Sequence, residues 1–60
     1  MIDKEAWISR CAAQFRKMAG VSLSDAGEMA SIAFDESHSD FEDDPEGAAD
    51  SEMSYWDNDE

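Results

Sequence analysis

The sequence predicts an all-α fold, a single small domain of three helices with a highly acidic surface. Three observations predict it. Apolar residues recur at three- and four-residue spacing, and no stretch alternates in the way that marks a strand. Helix caps and stop residues punctuate the chain at intervals that fit three segments. The charges are also segregated. All four basic residues, Lys4, Arg10, Arg16 and Lys17, lie in the first 17 positions with only Asp3 and Glu5 among them. The other 14 of the 16 carboxylates follow with no Lys or Arg, and the net charge is −12. Short connections then favour an up-down-up arrangement.

The first helix is expected over about 3–19. Asp3 suits the N-cap, and Glu5 is placed where an acid favours the positive helix end. Trp7, Ile8, Cys11, Phe15 and Met18 fall within an arc of roughly 100° and form the core stripe, while Arg10, Arg16 and Lys17 project elsewhere. Arg16 and Lys17 complement the dipole of the last turn, and Gly20 follows as a C′ residue.

The second helix is expected over about 23–35. Ser22 with Asp25 three positions on forms a variant capping box. Leu23, Ala26, Met29, Ala30, Ala33 and Phe34 share one face, and its three alanines call for close approach of a neighbouring helix. Asp25, Glu28, Asp35 and Glu36 take the other side. Ile32 sits among them as an exposed apolar side chain or a partner contact.

Residues 36–44 form a charged, turn-rich connection that Phe41 pins to the core. Asp44 as N-cap, Pro45 at the first helical position and Glu46 in the first turn open a third helix over about 45–56. Ala49, Met53 and Trp56 are its buried stripe, with Tyr55 to one side. Gly47 should weaken it by about 1 kcal/mol relative to Ala. From Asp57 onward the acidic end is expected to fray.

Length limits function. Residues 1–60 make one domain, and so short a chain buries only about 60% of the surface its unfolded form exposes. The 42% of apolar residues is too many for a disordered acidic tail. A core is feasible and a large catalytic cleft beside it is not, so a binding module is expected rather than an enzyme. His38, the lone histidine, reads as a solvated loop side chain. Cys11 reads as a small buried hydrophobe with no partner for a disulfide. An EF-hand register starting at Asp35 fails because Asp40 stands where Gly is required. No metal or cofactor is expected. With no apolar signal region and no membrane-length span, the protein is expected to be soluble, cytoplasmic and monomeric, with no membrane partner.

The charge indicates what is bound. Glu46, Asp50 and Asp57 lie within about 40° of one another on the third helix. Glu28 and Asp35 are one heptad apart, about 10 Å along the axis. The connection adds Asp40, Glu42, Asp43 and Asp44. Carboxylates on rigid elements can stand in for duplex phosphates, which repeat about every 3.4 Å per strand. A site whose Arg and Lys await phosphates accepts them, including by bidentate Arg contacts. The expected partner-binding surface is Glu28, Asp35, Glu36, Asp40, Glu42, Asp43, Asp44, Glu46 and Asp50, and the expected partner is a basic DNA-binding protein. Without a basic patch, direct nucleic-acid binding is disfavoured.

The Trp7–Cys11–Phe15 helix, the size of the chain, and the run Asp44-Pro45-Glu46-Gly47-Ala48-Ala49-Asp50-Ser51-Glu52-Met53-Ser54-Tyr55-Trp56 resemble small accessory proteins of bacteriophages and prophages. Small acidic helical members of that group include DNA-mimicking anti-CRISPR proteins. The resemblance implies a phage-borne inhibitor acting in the bacterial host on a subunit of a CRISPR surveillance complex. A type I assembly is the expected target, with the protospacer-adjacent-motif site as the place occupied. Two rival readings differ in class. One is a regulator or adaptor that binds a host protein through an apolar groove around Ile32 and Tyr55, its acids serving solubility. The other is a component of the virion or its assembly.

Overall fold

In a computed structural model, described over residues 2–56, three helices run in the order α1 (Lys4–Ala19), α2 (Leu23–Ser37) and α3 (Pro45–Trp56). The described residues contain no strand. The expected fraying from Asp57 and the place of Asp57 beside Glu46 lie outside them.

Local chemistry sets the helix ends. The Asp3 carboxylate accepts from the Ala6 amide at 2.9 Å and the Ser22 hydroxyl from the Asp25 amide at 3.2 Å. Each satisfies one amide that the first turn leaves without a partner. Gly20 ends α1 in the left-handed region at φ 72°, and its amide donates to the Arg16 carbonyl. A side chain there would be strained, which is why glycine serves. Asp44 caps α3, accepting from the Gly47 amide at 3.0 Å.

The cap also changes the reading of Gly47. A Cβ at that position would overlap the Asp44 carboxylate, its Cγ lying 2.8 Å away. Gly47 therefore makes room for the cap, and the propensity it forfeits is only part of its effect.

Helix α1 is the centre of the bundle and packs on both of the others, which touch each other less. Trp7, Cys11 and Phe15 are buried with Ala12 on α1, against Ala26, Ala30 and Ala33 of α2 and Ala48 and Ala49 of α3. The alanines let α2 come close, as their spacing predicts. Trp7 meets Phe34 edge to face at 5.3 Å. Phe41 packs against this core from the connection.

The side-chain contacts fix the helix directions. Arg10 meets Glu46 and Gln14 meets Asp50, both 36 positions apart, so α1 and α3 run parallel in constant register. Trp7 contacts Phe34 and His38 while Arg16 borders the same cleft as Leu23, so α2 runs antiparallel. The expected up-down-up order is what forms.

Several expected core positions differ. Met18 and Leu23 are 60% and 66% exposed, because the helices no longer close on one another at that end of the bundle. Trp56 is 46% exposed, with one ring face stacked on Phe15 at 5.7 Å and 14°. Between Met18, Met53 and Trp56 an open cleft of ≈ 430 Å³ remains. Ala48 rather than Trp56 completes the buried face of α3. Helix α2 continues two residues beyond 35, to Ser37. No helix of the described residues is long and apolar enough to cross a membrane.

Candidate functional site

None of the described carboxylates is buried. The antiparallel α2 brings its C-terminal turn beside the start of α1, and the connection continues there into α3. Asp35, Glu36, Asp40, Glu42, Asp43 and Asp44 are thereby gathered at one end of the bundle, all exposed. Glu28 is exposed two turns back along α2, set apart from that group.

The connection is built of tight turns. The Asp40 and Phe41 amides donate to the Ser37 carbonyl at 3.0 and 3.1 Å, and the Asp44 amide donates to the Phe41 carbonyl at 3.0 Å. From the core, Trp7 Nε1 donates to the Phe41 carbonyl at 2.8 Å. Backbone bonds close the turns locally, and the indole anchors them to α1. The acids of residues 40–44 are thus carried on a hydrogen-bonded frame.

Asp44, Glu46 and Asp50, among the nine expected residues, have work inside the chain that the structure shows in detail. Asp44 caps α3. Glu46 takes Arg10 in a two-pronged pair, Nε to Oε2 and Nη2 to Oε1, each 2.9 Å. That hydrogen bond holds the Glu46 carboxyl below its usual range and raises the Arg10 guanidinium. Asp50 accepts from Gln14 Nε2 at 3.0 Å. These pairs were missed from the sequence, where Arg10 was assigned only to the outside of its helix. A signal was present. Arg10 and Gln14 stand four apart on α1, Glu46 and Asp50 four apart on α3, and donors on one helix match acceptors on the other.

His38 differs from the solvated loop residue expected. It is the half-buried C-cap of α2, its ring 4.2 Å from Phe34 and edge-on to Trp7 at 5.8 Å. Lys4 Nζ lies 5.2 Å from the centre of the same Phe34 ring, a cation–π distance. Ile2, Lys4, Phe34, His38 and Glu42 border a shallow cleft of ≈ 300 Å³.

Cys11 lies in the core, where burial, with Glu52 and Glu46 adding, pushes its thiol up to about 12. A thiol so shifted is a poor nucleophile. Among the described residues, no three or more His, Cys, Asp or Glu side chains converge as metal ligands.

No protein-family model matches the chain, and no curated protein or solved structure does.

Proposed function

We propose that the protein is a phage-encoded inhibitor that mimics duplex DNA and occupies the basic, motif-reading DNA site of a CRISPR surveillance complex, of type I. The observation that carries this reading is the gathering of Asp35, Glu36, Asp40, Glu42, Asp43 and Asp44, all exposed, at one end of the bundle. A fixed array of anions presents a cationic groove with charge and spacing together, and it incurs less ordering cost on binding than a flexible acidic tail. Glu28 extends the array along α2. Glu46, Asp44 and Asp50 add to the field while their side chains hold α3 in place. Long-range attraction would speed the encounter and make it sensitive to salt.

The test is capture of the target by tagged protein at low salt, with and without excess duplex DNA, alongside a DNA-binding assay of the captured complex. Displacement by DNA, and loss of the target's DNA binding, support mimicry. Capture that ignores both DNA and salt overturns it.

The exposed apolar groups favour a second reading, an adaptor for a host protein. Ile32 is 56% and Tyr55 69% exposed, yet they do not share one groove. Ile32 lies level with the first half of α1 and Tyr55 level with its end. The adaptor surface would instead be the apolar end formed by Met18, Leu23, Tyr55 and Trp56. Binding there would survive high salt and fail on substitution of Trp56.

A further inference from the structure

We propose that the protein forms an antiparallel homodimer through the outer face of α1, in place of the monomer its sequence suggests. A groove of ≈ 600 Å³ runs along α1 beside the start of α2. Its floor is small and apolar, with Ala12, Ala13 and Gly27, and its walls are Ile8 and the 66%-exposed Leu23. A Cβ on Gly27 would touch nothing, so the groove has room for a helix at close range.

Its charges select the occupant. Glu5 borders one end and Arg16 the other, 11 residues apart on one helix and so about 16 Å along its axis. Among the described residues, neither has an ion-pair partner in its own chain. A two-fold axis between them makes the face self-complementary, because Glu5 of each copy meets Arg16 of the other. The same operation lays Leu23 of one copy near Ile8 of its mate and lets the small residues cross at the axis.

The long-range charge favours the same arrangement. Two chains of net charge −12 repel. Antiparallel pairing, however, sends the two groups of residues 35–44 to opposite ends of the contact, about 16 Å apart along its axis. That separation is about twice the Debye length of about 8 Å at physiological salt. It also sets each of these groups beside the mate's Arg16 and Lys17, the end whose Asp25 and Glu52 are partly offset by those two cations. Parallel pairing would bring the acidic ends together and leave Glu5 facing Glu5. Three helical turns of contact place the dimer among weak, concentration-dependent ones.

The experiment is sedimentation of the full chain from micromolar to millimolar concentration at roughly 0.15 M salt, where charges farther apart than about 8 Å are largely screened. The mass should rise from 6.7 kDa toward twice that value. Glu5→Arg and Arg16→Glu alone each place like charges at both ends of the contact and should weaken association at least about tenfold. The double charge swap should restore it to within about threefold. Both positions are exposed, and circular dichroism of each variant checks that its helices persist. A wild type that stays at 6.7 kDa throughout overturns the proposal and leaves the groove to a different partner. A dimer indifferent to the single reversals, or one that the double swap fails to restore, overturns it by showing that another face is used.

Discussion

Trp7 Nε1 donates to the Phe41 carbonyl at 2.8 Å, joining the first helix to a loop 34 positions away. The indole is wholly buried, so this bond satisfies the one polar atom of the largest core side chain and orders the acidic connection. Replacing Trp7 with Phe keeps an aromatic ring, leaves the carbonyl without its donor and opens a small void. We expect a loss of about 2 kcal/mol in urea unfolding. Amide exchange should also quicken at Phe41 and Asp44 ahead of the helices. Unchanged exchange in the loop would show that its turns hold without the indole.

Asp44 and Gly47 should be coupled. Asp44→Ala removes the cap and should cost about 1 kcal/mol. Gly47→Ala adds helix propensity worth about 1 kcal/mol but drives a methyl into the capping carboxylate, so it should not stabilise the protein. In the Asp44→Ala background that conflict is gone, and the same substitution should then stabilise. Additive effects in the double-mutant cycle would contradict the steric account.

The Arg10–Glu46 pair gives a defined pH dependence. Arg10 lowers the folded-state value of Glu46 below its ordinary 4.5, so the pair's contribution is present above that value. It is lost as pH falls through the depressed folded value. Both side chains are substantially exposed, at 50% and 37%, so the effect is small. Glu46→Gln should lower the melting temperature by about 2 °C at pH 7, and the difference from wild type should vanish below the ordinary carboxylate range. A difference that persists to the lowest pH would assign the effect to packing.

Cys11 should resist alkylation. With the thiol pushed up to about 12 and the side chain enclosed, native protein at pH 8 should react at least about a hundredfold more slowly than unfolded protein. Rates that track global unfolding across a denaturant series would place Cys11 within the cooperative core. Rapid reaction under native conditions would instead reveal local opening of α1.

Salt should stabilise the free protein. Fourteen carboxylates after position 17 repel one another, and the Arg10–Glu46 ion pair that offsets part of this is itself substantially exposed. Screening therefore removes more repulsion than attraction. The melting temperature should rise from roughly 0.01 M salt, with a Debye length of about 30 Å, to roughly 0.15 M. A fall would mean that attraction within the fold outweighs the repulsion.

The local rules carried the helices. Asp3, Ser22, Gly20 and Asp44 act through neighbours within four positions, so their roles could be read from the sequence. The buried alanines of α2 were legible for a similar reason, since their spacing marks one face. Other features depend on where a second helix stops. Met18 and Leu23 lie on apolar faces by periodicity, but the bundle opens before it covers them. Trp56 falls on the stripe of α3 yet comes to rest with one face on Phe15 and the other edge in solvent. The pairing of Arg10 with Glu46 spans 36 positions and exists only because α1 and α3 run parallel. For the acidic array, the sequence supplied its members, and the antiparallel course of α2 brought six of them to one end.

That gathering gives the anion one end where its described carboxylates are densest. One end carries the acidic connection, and the other carries Arg16 and Lys17 together with Asp25 and Glu52, beside Met18, Leu23 and Trp56. In the field of a cationic groove such a body would be pulled hardest at its densest carboxylates and would arrive with that end leading. Orientation would then be set during the approach, and a larger share of collisions would begin in a productive pose. The apolar end would trail, left free for whatever binds it.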